Sequence, residues 1–387
     1  MARNISAAID IGSKTTRVVV GEFDKGEKFP KVIGVGESET RGMRHGYVVD
    51  QAQAVNSLRI ALDMAEKSAG LKIRRAFVAI SGTTLRSNLS SGMVVVSKAD
   101  GEVTSLDVTK VMEDCEANLN LANRKIIQVF PSSFRLDGKE VLGRLEGMRG
   151  TKLEAKALFV TYSIQHLEDL LEVIEEAGVK TLDVIPAPIA LANVVLTEKQ
   201  KIVGVALSSI GDQTTSLAVF ENGTLISVQT FSIGSSDVTN DIALGLKIPL
   251  DTAEKLKQGT SDETIPNKKL AEIIEARLSD IFELLDNHFK KIKRNGLLPA
   301  GVVFVGGGAN IKGLEDSAKS ALKLPASIGT TDIFNNTKTK LRDSAWFTAL
   351  GLLLTSHDNE SYGDSSMGNL FKDLKNLIKS SLKQLMP

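Results

Sequence analysis

The sequence predicts an α/β protein built as two similar halves facing each other across a cleft, and three observations carry that expectation. Residues 7–20, "AAIDIGSKTTRVVV", read as strand, tight turn, strand, because β-branched runs flank a Gly-Ser-Lys-Thr turn. Residues 207–219, "LSSIGDQTTSLAV", repeat the pattern in register, with Ile11, Gly12, Thr15 and Thr16 standing against Ile210, Gly211, Thr214 and Thr215. Around the two hairpins, strand-like runs alternate with helical periods, as layered α/β domains require.

Taken in order, the first hairpin leads to a helix marked by Val55, Leu58, Leu62 and Ala65, stopped by Gly70. From about residue 84 to 163 runs a segment with its own strands (93–97, 125–129 and 157–161) and a helix near 107–119; it reads as a small inserted subdomain. Leu167, Leu170, Leu171 and Ile174 mark the next helix, before Gly178. Beyond the second hairpin, 250–295 is strongly helical, with Leu270, Ile273, Ile274, Leu278, Ile281 and Leu285 as its apolar stripe. "GVVFVGGGANIKGL", 301–314, reads as a buried strand ending in three glycines and entering a helix. After Leu354 the chain turns polar and rich in Gly and Ser, the composition of a flexible linker.

At 387 residues the chain is long enough for two domains, each with its own core. Lys+Arg and Asp+Glu balance at 47 each, so bulk charge gives no reason to expect nucleic acid, and any electrostatic attraction is local. Cys115 is the single cysteine, which excludes an internal disulfide and fits a reducing cytosol. "MARNISAAIDIG" runs into a strand without a signal-peptide apolar region, and no stretch approaches the roughly 18 to 20 apolar residues that span a bilayer. The expectation is an intracellular protein that meets a membrane, if at all, from the side.

Several residues have the chemistry of a phosphate site. A turn containing Gly12 and the hydroxyls of Ser13 and Thr15 points backbone and side-chain donors at an anion. Asp10, just before the turn, stands where a carboxylate would hold the waters of a Mg²⁺ bridging the phosphates. Gly306 and Gly307 lack side chains and let a flat base or ribose approach the backbone. Glu254 and Lys257 are three apart on one helix face and are positioned to hydrogen-bond ribose and adenine, or else form a solvated charge pair.

Phosphate hairpin, second hairpin, E-x-x-K helix and Gly-rich turn, in this order, resemble the actin-like ATPase superfamily, and within it the cell-division family FtsA. "RGMRHGYVVDQAQAV" (41–55), "AFVAISGTTLRSNLSSG" (76–92), "VTNDIALGL" (238–246) and "LAEIIEARLSDI" (270–281) look like segments of that family, as do 126–161, and the resemblance covers essentially the whole chain. It implies an actin-like, duplicated ribonuclease H-like fold around a nucleotide cleft. Its parts would be domain 1 (1–83 and 164–196), an FtsA-type inserted α+β subdomain (84–163), a domain 2 core (197–226 and 300–355), a helical subdomain (227–299), a linker (356–367) and a terminal helix (368–387). It also implies ATP with Mg²⁺ as cofactors. ATP would contact Gly12, Ser13, Lys14, Thr15, Thr16, Gly211, Asp212, Gln213, Thr214, Glu254, Lys257, Gly306, Gly307, Gly308 and Asn310, with Asp10 catalytic and near the metal.

One departure matters. Ser209 stands opposite Asp10 when the hairpins are aligned, and Ser216 stands where an Asp is common, so the second loop lacks a metal- and water-orienting carboxylate. Losing such help costs about 10² to 10⁴ in rate. Weak or absent hydrolysis is expected, unless Asp212 in the same turn compensates.

The last segment, "GNLFKDLKNLIKSSLKQLMP", is distinct. At about 100° per residue, Leu370, Phe371, Leu374, Leu377, Ile378, Leu382, Leu385 and Met386 cover one half of a helix. Lys372, Lys379 and Lys383 lie on the other half, with Lys375 at the edge where its stem can snorkel. Four lysines against Asp373 leave a local charge of +3 in a neutral chain. A basic amphipathic helix on a tether reads as a membrane-surface anchor rather than a last core helix. Each lysine near an anionic leaflet contributes on the order of 1 kcal/mol, so one tail binds reversibly and a filament of many binds firmly.

The family resemblance implies an adaptor: a filament former that ties the tubulin-like protein FtsZ to the cytoplasmic face of the membrane at the division site, with later division proteins as further partners. There the FtsZ tail peptide docks on the helical subdomain, at positions matched by Arg277 and Asp280. Two alternatives share the fold class. A small-molecule kinase needs an acceptor-side carboxylate that the second half does not offer, and a PilM-like pilus-assembly homologue is not expected to carry the terminal helix.

Overall fold

A computed structural model of the chain describes residues 4–24, 27, 29–260, 267–331, 333 and 339–361. The predicted terminal helix, 368–387, lies outside them. In the first half, β1 (Asn4–Ile11) and β2 (Thr15–Phe23) form an antiparallel hairpin, and β3 (Lys31–Glu39) extends it. A two-residue ladder of β4 (Met43–Arg44) and β5 (Tyr47–Val48) precedes α1 (Gln51–Ala69). Asp50 caps α1 by accepting the Gln53 N–H, and Gly70 ends it at φ 69°, a left-handed position that glycine takes without strain. β6 (Arg75–Ile80) then pairs parallel with β1.

The inserted unit follows: β7 (Arg86–Val95), α2 (Ser105–Ala117), β8 (Arg124–Leu136), β9 (Lys139–Glu140) and β10 (Lys152–Ser163). It has its own core, in which Val108, Val111, Met112 and Cys115 of α2 pack on Leu153, Ala155 and Phe159. Cys115 is thus a small core residue, and burial pushes its thiol up to about 11. The chain returns through α3 (Ile164–Glu176), β11 (Lys180–Pro186), α4 (Ala187–Val195) and α5 (Glu198–Val203).

The second half opens on the hairpin of β12 (Val205–Ile210) and β13 (Thr215–Glu221), joined by β14 (Thr224–Phe231). Helices α6 (Ser235–Leu246), α7 (Leu250–Lys257) and α8 (Asn267–Lys291) follow. From α8, Ile274, Leu278, Ile281 and Leu285 are buried, as the apolar stripe predicts, with Phe282 and Phe289 added to it. β15 (Val302–Val305), a 3-10 turn over Gly307–Asn310, α9 (Leu314–Leu322), β16 (Ala326–Ile328) and α10 (Phe347–Ser361) complete the described chain.

Among the described residues the first half holds a five-stranded sheet in the order β11-β6-β1-β2-β3. The second sheet runs β16-β15-β12-β13-β14-β7-β10-β8-β9, so the inserted strands extend it through the pairing of Gln229 with Arg86. Three boundaries drawn from the sequence differ from these elements. The cut at 226/227 falls inside β14, a continuous strand paired to β13. α10 was assigned to the second-half core, yet Leu350, Leu352 and Leu353 are buried in the cluster that holds Val18, Val20 and Ala190. The reason is long-range packing: α10 lies on α4 and on β1, β2 and β6. α10 also runs on to Ser361, six residues into the stretch read as a linker from 356, because no proline or glycine interrupts it before Gly363. No described helix is long and apolar enough to cross a membrane.

Candidate functional site

The two hairpins turn in the same way. Gly12 N donates to Thr15 O at 3.1 Å and Gly211 N to Thr214 O at 2.8 Å. In each ladder the residue before the glycine faces the second threonine, Ile11 opposite Thr16 and Ile210 opposite Thr215. That register sends Thr16 and Thr215 inward. Thr16 is fully buried with its hydroxyl 2.7 Å from Thr40 Oγ1, and the Thr215 hydroxyl donates to Ile233 O at 2.8 Å. The Thr16 side chain, expected to meet a nucleotide, is a core hydroxyl; Gly12, Ser13, Thr15, Gly211, Asp212, Gln213 and Thr214 remain partly exposed at the turns.

Lys14 spans the cleft. Its ammonium lies 3.0 Å from Glu254 Oε1 on α7 and 3.9 Å from Asp212 Oδ1 in the opposite turn. Glu254 also pairs with Lys257 at 2.7 Å and accepts from the Thr239 hydroxyl at 2.6 Å, while Lys257 donates to Ser235 O at 2.9 Å. Lys257 is only 7% exposed, so the pair is an organised, largely desolvated network rather than a solvated charge pair. Burial alone would raise the Glu254 carboxyl, but hydrogen bonds from Lys257, Thr239 and Lys14 hold it at about 2. Asp212 is pushed above the usual carboxylate range by burial, opposed by Lys14 and Lys257.

Gln213 is engaged elsewhere. Its Oε1 accepts the His45 N–H at 2.8 Å, and its carbonyl lies 3.1 Å from His45 Nδ1, which ties the second turn to the β4–β5 turn of the first half. Gly306, at φ 86°, and Gly308 pack against the second hairpin: a Cβ on Gly306 would lie 2.6 Å from Ile210 O, and one on Gly308 2.3 Å from Ile210 Cγ2. Gly307 faces open space, and Asn310 is exposed. Of the three glycines, the middle one leaves the backbone accessible to a ligand.

Asp10 pairs across the ladder with Arg17, which is 3.1 Å from Glu37. Enclosure of its carboxyl pushes Asp10 up to about 6, against the pull of Arg17. Ser209 occupies the corresponding place, opposite Ser216. Among the described residues no three of His, Cys, Asp or Glu come together to hold a metal. A Mg²⁺ fits here only as part of a metal–phosphate complex, with Asp10 offering one carboxylate through water.

On α8, Arg277 is held by Asp241 of α6 through two bonds, 2.6 and 3.0 Å, and contacts Asp280 at 3.1 Å. The two residues expected to meet a partner are thus paired to each other, with Asp280 the more exposed. Asp241, Thr239, Ser235 and His45 were missed from the sequence. Thr239 and Ser235 join the Glu254–Lys257 network, Asp241 holds Arg277 and His45 holds Gln213, each across elements, and no local spacing marks them.

Comparison with known proteins places this geometry. Residues 206–351 match the family model of cell division protein FtsA, and residues 82–161 that of the SHS2 domain inserted in FtsA. Cell division protein FtsA of Bacillus subtilis is 30% identical over 368 residues, covering 89% of this chain and 82% of the relative. The Pseudomonas aeruginosa protein is 29% identical, covering 92% and 90%. Among solved structures, a chain of the PilM-PilN type IV pilus biogenesis complex superposes with a TM-score of 0.66 at 15% identity, covering 90% of this chain and 98% of that one. MreB5 of Spiroplasma citri bound to ADP gives 0.54 at 13%, covering 96% and 98%. At such identities these structures speak for the fold alone, which is actin-like. With the inserted domain in place and the relatives aligned over most of their length, the chain belongs to the FtsA family of cell division proteins.

Proposed function

We propose that this cell-division protein is an ATP-binding adaptor that assembles into filaments and tethers FtsZ to the cytoplasmic face of the membrane at the division site. The observation that carries nucleotide binding is the matched pair of glycine turns with Lys14 reaching between them to Glu254. The Gly12 and Gly211 turns cradle the phosphates, Lys14 exchanges Glu254 for phosphate oxygens, and Gly307 admits the adenosine. Asp10 orders the waters of a Mg²⁺ carried by the phosphates. With Ser209 in place of a second carboxylate, hydrolysis is slow.

The FtsZ tail peptide engages α8 beside Arg277 and Asp280, in competition with Asp241. Residues 368–387 supply the membrane contact through one leucine-rich face and the lysines at 372, 375, 379 and 383. The test is co-sedimentation with anionic liposomes at low and high salt, with ATP binding measured on the same samples, comparing the intact chain with one ending at Met367. Pelleting of the intact chain alone, with ATP bound by both, is the expected result. An intact chain that binds ATP but stays in the supernatant overturns the adaptor reading; one that pellets without binding ATP overturns the nucleotide reading.

A further inference from the structure

At the seam between the first half and the inserted domain, two arginines share one stretch of β10, and among the described residues neither has a carboxylate partner. Arg124 of β8 reaches across β10: its Nε donates to Thr161 Oγ1 at 3.0 Å, and its Nη2 to Thr161 O at 3.0 Å and to Thr84 O. All three acceptors are neutral. Arg86 of β7 pairs with Thr161 from the other side of the same strand, and its carbonyl accepts from the Thr161 hydroxyl at 3.4 Å. Its side chain is exposed, and among the described residues neither arginine enters an ion pair.

The surroundings are polar and held firmly. The Tyr47 hydroxyl bonds to Thr83, the Tyr47 ring stacks on His166 with centroids 3.8 Å apart, and Thr84 Oγ1 lies 3.5 Å from His166 Nδ1. Burial, and then the charge of Arg86, push the Arg124 guanidinium down to about 10. Asp169 of α3 acts on His166 and Tyr162, and the acidic group that bears on Arg124 is the Tyr47 hydroxyl rather than a carboxylate. A half-buried guanidinium beside a second one, with only neutral acceptors, is a poorly compensated charge.

We propose that Arg86 and Arg124, with the Thr84 hydroxyl, bind a dianionic phosphate group at this seam. Arg86 offers a full guanidinium fork for bidentate recognition of phosphate oxygens, Arg124, with Nε and Nη2 already donating, offers its Nη1 edge, and two positive charges match a dianion where a single carboxylate would leave one unanswered. The site adjoins the pairing of Arg86 with Gln229, through which the inserted strands join β14, so a bound phosphate pins that junction.

The test is calorimetric titration of the full chain with inorganic phosphate, and separately with succinate, at low ionic strength. Arg86 is the residue to change, because its side chain makes no described contact and Arg86→Glu leaves the fold intact, as a thermal melt will verify. Arg86→Glu is expected to weaken phosphate binding by about tenfold or more, and Arg86→Lys by less, since the charge stays and the fork is lost. Lys14→Ala, which disables the cleft turn, is expected to leave this binding in place, so failure here and failure of the nucleotide reading are separable. Unchanged affinity in Arg86→Glu, loss of all phosphate binding in Lys14→Ala, or succinate binding as tightly as phosphate would each overturn the proposal.

Discussion

The β1–β2 and β12–β13 hairpins have one backbone and two chemistries. Both close on a glycine whose N–H reaches the carbonyl three residues on, and both bury the second threonine. At matched positions, however, Asp10, Lys14 and Arg17 in the first stand against Ser209, Gln213 and Ser216 in the second. The first hairpin supplies the cation, Lys14, that crosses the cleft; the second carries Asp212, where the first has Ser13, and is held from outside, by His45 on Gln213 and by two glycines packed on Ile210. A turn of fixed shape supplies backbone donors whatever its side chains are, so the two turns share one backbone while the bridging cation stands on one side only.

The largest expected effect tests the packing half of this contrast. Gly308→Ala places a methyl against Ile210 and should destabilise the chain by about 3 kcal/mol, as overpacking does; an unchanged melting temperature would show that the second hairpin does not need that close approach. Next comes chemistry. Ser209→Asp restores a carboxylate to the second hairpin and should raise Mg²⁺-dependent phosphate release by about 10²-fold. No change in that assay would mean that hydrolysis is limited elsewhere in the cleft.

A paired substitution sharpens the asymmetry of charge. Lys14→Ala should weaken ATP binding by about tenfold or more through loss of a charge-assisted contact. Gln213→Ala, at the matched position, should leave it nearly unchanged, because that amide already serves His45. Equal losses in the two variants would put both turns on the same footing.

The smallest effect is in pH. Asp10 titrates near 6 in the folded chain against an ordinary 3.8, so the folded state holds the extra proton between those values. The associated stability is fully present below about pH 4 and is lost as pH rises through about 6. Metal binding runs the other way, since it needs the carboxylate: the Mg²⁺-dependent gain in ATP affinity should fall below pH 6, by no more than about tenfold per pH unit. Asp10→Asn should abolish that slope, and its persistence would assign the titration to another group.

Much of this molecule was legible in its sequence. The hairpins are set by β-branched runs around short turns, the helices by apolar spacing such as Ile274, Leu278, Ile281 and Leu285, and the Glu254–Lys257 pair by a three-residue step on one helix face. These are local signals, carried by residues within a turn or two of one another. The order of the twinned turns, the E-x-x-K helix and the glycine-rich strand end pointed to the actin-like fold, and whole segments such as 41–55 and 270–281 pointed to the family.

What tertiary structure decided is every contact whose partners are far apart in the chain. The meeting of Lys14 with Glu254, 240 residues away, and of His45 with Gln213, 168 away, leaves no trace in local composition. The same holds for the return of α10 to the first-half core, for the extension of the second sheet by the inserted strands, and for the capture of Arg277 by Asp241. Sequence by itself determined which residues form strands, turns and helices, because backbone sterics and apolar periodicity act over a few residues. Which side chains face the cleft, and which are consumed in holding it shut, was settled only when the two halves packed together, because burial and pairing depend on neighbours that the fold alone brings near.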